Sequence, residues 1–353
     1  MTKPLSRWDL HVLSGAALSP LVNAGQVFRP SSDIDWKTLF EFASNAFITP
    51  ALALALRHSS APGPDERAYL ETILSMNRER NIRLTQKLAS TIQALFEAGI
   101  ETIFLKGMAS ICDHLYPDFG GRVVSDADIL VDESKIADAQ RILTNVGFTR
   151  SHTEYTHNHN PPDWDKMHHS DPVGDPVSGL WIELHTSVLA KRHSAILNSQ
   201  EAFEFSVPSQ LHGVGVKIMS PEHRLTHAIA HIQLGHQATR DFNHMPQQHL
   251  ECAMLMAAYP EMLEAVRGRF RKAGFSASFA CAVAVCKQLY AVRISQTFSG
   301  EHAYIAMLKW ATNHPRSANA YRKAVIAPRI VWNQPRKLLM LLTPSGWRKI
   351  FPI

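Results

Sequence analysis

The stretch IFLKGMASICDHLYPDFGGRVVSDADILVD, residues 103–132, combines two apolar strands with a predicted helix between them. The first strand ends at Lys106, and the helix is predicted to begin at Gly107. The second strand, ADILV, carries Asp126 and Asp128 at its start. Strands that alternate with helices are typical of an α/β fold.

The aspartates indicate a metal site. Residues two apart on a strand point to the same face, so Asp126 and Asp128 should project together. A third acid, Glu183, alternates with the apolar Ile182 and Leu184 in a later predicted strand. Neighbouring carboxylates repel each other, and a divalent cation relieves that repulsion. Oxygen ligands of this kind suit Mg²⁺, which also binds substrate phosphates.

Gly107 is a candidate phosphate contact. A glycine that opens a helix lets the backbone approach an anion, and the free N–H groups of the helix start then face it. Lys106 and Arg122 flank the same region and could neutralise phosphate charge. Taken together, a metal site and a phosphate cradle are components of a phosphoryl- or nucleotidyl-transfer site. The alternative for the glycine is an ordinary tight turn.

The chain is predicted to contain three regions: N-terminal helices over 1–98, an α/β core over 99–190 and a helical C-terminal region over 191–353. A long helix is predicted over 66–98, ending at Gly99. Its apolar residues recur at helical spacing on one face. They are Leu84, Leu88, Ile92 and Leu95.

The rest of the core shows the same alternation of predicted strands and helices. An amphipathic helix is predicted over 132–147, a strand over 148–155 and a strand over 180–189. The polar segment 156–179 between the two strands is long for a loop, which is typical of a functional or disordered segment. Ser220 followed by a proline predicts the start of a helix in the C-terminal region.

The composition is that of a globular protein, with 353 residues, of which 45% are hydrophobic and 19% charged. No apolar run reaches the roughly 18 residues of a membrane helix, and the N-terminus does not resemble a signal peptide. The cysteines show no paired spacing, so we expect buried thiols in a reducing cytoplasm. They are Cys112, Cys252, Cys281 and Cys286.

The charge is concentrated at the C-terminus. No acid follows Glu301, whereas nine basic residues do, which leaves 27 of the 36 basic residues against 31 acidic ones in the rest of the chain. This basic tail predicts an acidic partner, either a peptide or a nucleic acid. The alternative is a solvated helical face whose long side chains cover apolar surface.

Nineteen histidines are present, in two notable groups. His223, His227 and His231 lie four residues apart on one predicted helix face. Such spacing suits zinc, although Ala228 stands where a zinc protease would carry glutamate. The alternatives are packed imidazoles or a contact to phosphate or acceptor.

A second group of histidines precedes the last strand of the core and is expected near the cleft. These are His157, His159, His168 and His169. His185, two residues after Glu183, should face the same side as that acid. It could orient the carboxylate or receive a proton. The alternative is a partly buried histidine that is satisfied by the backbone.

In this order the motifs resemble the uncharacterised nucleotidyltransferase family of the polymerase-β-like superfamily. The similar segments are FLKG at 104–107, LYPDFGGRVVSDADILVD at 115–132, GF at 147–148, HH…IELH within 168–185 and P-x-x-W-R at 344–348. The similarity covers about residues 100–190 and is looser beyond them.

The resemblance implies a small mixed β-sheet flanked by helices, of the α/β (α+β) class. It implies Asp126 and Asp128 as metal ligands, Glu183 as the third carboxylate that activates the acceptor hydroxyl, and Gly107 as the glycine that cradles the triphosphate. The expected reaction transfers a nucleoside monophosphate from a nucleoside triphosphate, expected to be ATP, to an unidentified acceptor. Mg²⁺ or Mn²⁺ is the expected cofactor.

The sequence departs from the superfamily pattern after Gly107, where Met108 replaces the usual serine or glycine. Ser110 is the candidate to supply the missing hydroxyl. Arg240 is present in the helical region, but no acid follows it at the family's spacing. The candidate contacts to acceptor or phosphate are His169, His185, His231 and Arg240. A catalytically inactive nucleotide-binding or adaptor protein and a zinc hydrolase remain as alternatives.

Overall fold

The computed structural model describes residues 5–30, 33–150 and 168–321. The helices are α1 Arg7–Val22, α2 Trp36–Asn45, α3 Thr49–Leu56, α4 Pro64–Glu97, α5 Lys106–Cys112, α6 Ile136–Asn145, α7 Ser199–Glu204, α8 Pro221–Ala230, α9 Ala238–Asp241, α10 Pro246–Ala258, α11 Leu263–Lys272, α12 Ser276–Tyr290 and α13 Glu301–Asn313. The strands are β1 Ile103–Phe104, β2 Asp126–Leu130, β3 Thr149–Arg150, β4 Val173–Gly174, β5 Trp181–His185, β6 Ser206–Leu211 and β7 Val214–Met219.

The described strands form one mixed sheet in the order β3-β4-β5-β2-β1-β7-β6. At its centre, β2 runs parallel to β5 and antiparallel to β1, and β1 runs parallel to β7. The outer pairs, β3 with β4, β4 with β5 and β6 with β7, are antiparallel. The expected α/β fold, a small mixed sheet flanked by helices, is confirmed.

The two faces of the sheet differ because side chains alternate along each strand. Ala127 and Ile129 of β2 and Ile182 of β5 are fully buried in an apolar cluster that also contains residues of α4 and α6. The opposite face carries the acidic residues. There Leu130 joins the larger apolar cluster formed with the C-terminal helices. The acidic face therefore lies on the side of the sheet that the C-terminal helices cover.

The long helix α4 positions the segment that leads into β2. Its start has a proline and two acids in the first turn, and the apolar face predicted within 66–98 is buried. The Nδ2 atom of Asn77 donates to the carbonyls of Gly120 and Arg122, at 2.6 and 2.8 Å. The Nδ2 atom of Asn81 donates to the same Arg122 carbonyl at 2.8 Å. Buried amides thus fix the turn before the aspartates.

A β-hairpin over 206–219 enlarges the sheet within the region that the sequence assigns to helices. Its turn places His212 and Gly213 at φ +49° and +79°, and β6 pairs only with β7 in the described sheet. The N-terminus of α8 is as expected, because the hydroxyl of Ser220 accepts from the His223 N–H at 3.3 Å. The division into three regions stays a prediction.

All four cysteines are free and buried, as expected. In the described parts of the chain, no helix has both the length and the apolar character needed to cross a membrane. The segment 151–167, which includes His157 and His159, lies outside the described residues. So does 322–353, which holds seven of the nine basic tail residues and the P-x-x-W-R motif.

Candidate functional site

The parallel pairing of β2 with β5 brings two predicted acids together. Asp128 is registered directly opposite Glu183, so their side chains leave the same face of the sheet side by side. His185 follows two residues later on that face. The ligating atoms of Asp128, Glu183 and His185 all lie within 4.8 Å of one another. The described residues therefore contain a compact carboxylate–imidazole cluster at the centre of the sheet.

Asp128 is the most heavily contacted member of this cluster. Its Oδ1 atom lies 2.6 Å from Lys106 Nζ and 2.8 Å from His185 Nε2. Glu183 is half-buried, with Oε2 3.7 Å from the same His185 nitrogen. The side chain of Asp128 is only 4% exposed. A buried carboxylate needs such partners, because an unpaired buried charge is very costly.

Electrostatics keep both acids ionised. Burial alone would raise the pKa of Asp128, but the hydrogen bond with His185 and the charge of Lys106 outweigh it and hold that pKa well below its usual range. The interaction with His185 lowers the pKa of Glu183. Burial opposes protonation of His185, yet its contacts with Asp128 and Glu183 raise the pKa of the imidazole. The cluster thus presents two carboxylates at neutral pH.

Asp126 lies at the outer end of the acidic face. It is registered with Trp181, is half-buried, and accepts a hydrogen bond from Ser125 Oγ at 2.6 Å. Its oxygens are not in the group of described residues that meets within 4.8 Å. By strand alternation Asp126 nevertheless points to the same face as Asp128. Its role as a metal ligand stays a prediction.

Gly107 provides space for a buried arginine. A Cβ atom at this position would overlap the guanidinium of Arg122, with Nη2 only 2.6 Å away. The Nε atom of Arg122 donates to Glu251 Oε1 of α10 at 2.5 Å. Glu251 Oε2 also accepts from the hydroxyl of Ser110 at 3.3 Å. In this structure Arg122 and Ser110 are therefore engaged by a carboxylate, and their predicted contacts to phosphate stay predictions.

Glu251 and Arg224 are functional candidates that motif spacing does not identify. Arg224 of α8 is buried, forms an ion pair with Asp113, and donates through Nη2 to the hydroxyl of Ser110 at 3.4 Å. The available signal for Glu251 was a lone acid in the apolar helix HLECAMLM. A lone acid in an apolar helix indicates that a basic or hydrogen-bonding partner lies nearby, but it does not identify that partner.

A small cavity lies between these groups and is also lined by Lys106. It measures about 60 Å³, room for about two waters, and lies where α5, α8 and α10 meet. Its charged lining consists of Lys106, Arg122 and Arg224 against Glu251. The lining thus carries three cations against one acid, although each cation is ion-paired in this structure, Lys106 with Asp128, Arg122 with Glu251 and Arg224 with Asp113.

His168 and His169 lie next to the C-terminal end of β5. His169 forms an isolated antiparallel bridge with His185, and its Nδ1 atom lies 3.9 Å from Glu183 Oε2. The rings of His168 and His169 lie 5.6 and 5.3 Å from that of His185, measured between centroids. Burial, helped by neighbouring positive groups, lowers the pKa of His168 to about 4. His168 and His169 therefore lie beside His185 and Glu183, and their place in a substrate cleft stays a prediction.

The three histidines predicted on one helix face, His223, His227 and His231, have different surroundings. His227 and His231 line the cavity, and burial lowers the pKa of His227 to about 3, so its imidazole is neutral. His223 instead accepts from Arg269 Nη2 at 3.0 Å. Arg240 pairs with the adjacent Asp241 at 2.8 Å and is not among the described residues that line the cavity.

Comparison with known proteins gives one match. No curated protein and no solved structure is significantly similar to the chain. The family model described as uncharacterised nucleotidyltransferase matches residues 32–291, a span of 260 of the 353 residues. This span includes the sheet, the carboxylate–imidazole cluster and the helices that cover it. The chain belongs to the uncharacterised nucleotidyltransferase family.

Proposed function

We propose that the protein transfers a nucleoside monophosphate from a nucleoside triphosphate, with ATP as the expected nucleotide, to an acceptor and releases pyrophosphate. The registered pair of Asp128 and Glu183, next to Lys106 at the start of α5, is the observation that carries this proposal. Carboxylates for a cation beside a positive group for phosphate are what transfer at phosphorus requires.

The donor set fits a divalent cation, with Mg²⁺ or Mn²⁺ as the expected ions. Two ionised carboxylates and an imidazole have ligating atoms within 4.8 Å, and Asp126 projects from the same strand face. When bound, the cation would supply positive charge to the phosphates and lower the barrier for their displacement. Asp128 and Glu183 would hold it, with Asp126 and His185 as the further candidate ligands.

The remaining residues would position the reactants. Lys106 carries its ammonium group 2.6 Å from Asp128 and would contact phosphate once that carboxylate binds a cation. Glu183 is ionised and half-buried, so it would orient the acceptor hydroxyl. His169 and His231 are candidate contacts to the acceptor or to phosphate. The basic residues after Glu301 are candidates for an acidic acceptor or partner, whose binding should weaken as salt is added.

A second candidate function is nucleotide binding without turnover. Met108 is buried in the core rather than exposed at the helix start, and the hydroxyl of Ser110 is engaged by Glu251 and Arg224. The start of α5 thus presents no free hydroxyl to a phosphate from either residue. This observation is the reason why a binding or adaptor role is kept as the second candidate.

The test is pyrophosphate release from each nucleoside triphosphate with Mg²⁺ or Mn²⁺, with cell extract as the source of acceptor. We expect release that falls by about 100-fold or more in Asp128→Asn, because loss of the cation removes several kcal/mol of transition-state stabilisation. Asp138→Asn, an exposed aspartate on α6 that pairs with Arg141, is the matched control and should retain the wild-type rate. Nucleotide binding without release would favour the second candidate. Absence of both binding and release would contradict both functions.

A further inference from the structure

An open groove between α2 and the start of α4 combines aromatic rings with charged residues. Its rings belong to Trp36, Phe40 and Tyr69, and those of Phe40 and Tyr69 stack with 4.8 Å between their centroids. Tyr69 is 38% exposed, so part of this aromatic surface faces solvent. The groove measures about 590 Å³, which lies within the range of roughly 300–1,000 Å³ for ligand pockets. Exposed apolar surface with a polar rim marks an interaction site.

The charge of the groove is negative. Glu41, Asp65 and Glu66 line it together with one base, Lys37. None of the three carboxylates is ion-paired with a described residue. Asp65 and Glu66 lie in the first turn of α4, where the helix dipole favours acids, whereas Glu41 lies in the middle of α2. The faces of aromatic rings attract cations, so unpaired carboxylates beside such rings suit an ammonium or guanidinium group.

The chain itself contains a segment of matching chemistry. Residues 322–353, which follow the last described residue, include seven basic residues and no acid. Apolar residues are interleaved with them, as in KLLMLL at 337–342. The segment thus has the charge opposite to that of the groove, and it has apolar side chains that suit the aromatic rings. The basic residues are Arg322, Lys323, Arg329, Arg336, Lys337, Arg348 and Lys349.

The groove lies within reach of this segment. Tyr321, the last described residue, comes soon after α13. At the end of α13, Asn313 Oδ1 accepts from the Trp8 N–H of α1 at 2.9 Å. Helix α1 in turn contacts α2, where the rings of His11 and Phe42 lie 4.8 Å apart between centroids. Fully extended, the segment spans up to about 100 Å, whereas each of the two helices to be crossed is about 10 Å wide.

We propose that this groove binds the basic segment 322–353 of the same chain, with lysine or arginine side chains against its rings and carboxylates. The opposite charges and the length of the segment favour this occupant over an unrelated ligand. The inference goes beyond nucleotidyl transfer, because it concerns a surface formed by α2 and α4. An acidic partner of the same basic residues would compete with the groove for them.

The test is cross-linking of the full-length protein with a carbodiimide, which joins carboxylates directly to lysine amines, followed by peptide mass spectrometry. We expect Glu41, Asp65 or Glu66 to be joined to a lysine of the segment, at a yield at least fivefold above that of Glu133, an exposed acid after β2. Raising the salt concentration from about 0.05 to 0.5 M should lower this yield at least fivefold, because exposed charges are screened. Glu41→Gln/Tyr69→Ala should lower the yield at Asp65 and Glu66 at least fivefold, whereas Glu133→Gln should not.

Two results in the wild-type protein would overturn the inference: no cross-link between the groove and the segment, or equal yields at Glu133 and at the groove acids. Neither depends on whether a variant folds. Mixing the protein with an isotopically labelled copy identifies the source of the segment. Cross-links within single chains would support the inference, whereas cross-links between labelled and unlabelled chains would make a second copy the occupant and overturn it. These measurements use neither nucleotide nor metal, so their outcome is independent of pyrophosphate release.

Discussion

Removal of the Glu251 carboxylate should destabilise the protein far more than an ordinary surface substitution. Glu251 Oε1 accepts from Arg122 Nε at 2.5 Å and lies 3.5 Å from the hydroxyl of Tyr116. Its other oxygen accepts from Ser110. Both charged residues are less than a tenth exposed. In Glu251→Ala the guanidinium would remain buried without its counter-charge.

Breaking a buried ion pair on one side costs about 3–5 kcal/mol, and we expect Glu251→Ala to fall in that range. Glu251→Gln keeps the shape and one acceptor oxygen but also leaves the guanidinium without its counter-charge, so its cost should lie at the lower end of that range, about 3 kcal/mol. In contrast, Arg122→Met/Glu251→Leu removes both charges and should be more stable than Glu251→Ala alone. A double variant that is more stable than Glu251→Ala would show that the loss in Glu251→Ala comes from the buried charge left without its partner.

Urea unfolding followed by far-UV circular dichroism measures these differences. The matched control is Glu264→Ala, whose side chain is 64% exposed and pairs with Arg267. It should change stability by no more than about 0.5 kcal/mol. A loss below about 1 kcal/mol in Glu251→Ala, or an Arg122→Met/Glu251→Leu variant that is less stable than Glu251→Ala, would refute the electrostatic account.

Two further predictions concern the packing of the same region and its response to acid. Gly107→Ala should lower the free energy of unfolding by about 1–3 kcal/mol, because the added methyl group would overlap Arg122. Gly268→Ala is the control, since this helix residue has open space around it, and it should be neutral or stabilising. Equal effects of the two substitutions in urea unfolding would contradict this prediction. Burial lowers the pKa of His249 to about 4, so the unfolded chain takes up a proton that the folded chain does not. Stability should therefore fall by about 3 kcal/mol between about pH 6.5 and pH 4 from this residue, and His249→Gln should show a shallower loss over that interval.

The local elements were predictable from residue pattern, but their pairing was not. Alternation along DADIL and WIELH is enough to predict two strands with acids on one face. That Asp128, rather than Asp126, lies opposite Glu183 depends on the register between strands more than fifty residues apart in sequence. Register reflects the whole apolar pattern of the sheet, which a single strand does not contain.

The hairpin over 206–219 shows a different limit. Pro208 lies within β6, where it is tolerated because the strand is at the edge of the sheet. The turn uses His212 and Gly213 instead of the usual asparagine and glycine. Both features weaken the sequence signal for a strand pair. The helices predicted after this segment further favour its assignment to the helical region.

Three deviations from ordinary local preference meet at one carboxylate. Lys106 adopts φ +44° in the first turn of α5, a conformation that favours glycine. Such angles also occur at helix ends or in turns, where they are common, at Phe47, His114, His212, Gln237, Phe242 and Ala291. Lys106 also places its ammonium group on the buried Asp128, next to a second acid and a histidine with an unpaired nitrogen. Each feature costs stability on its own, and strain of this kind persists where it serves a site. Their coincidence supports the proposed site for a cation and phosphate.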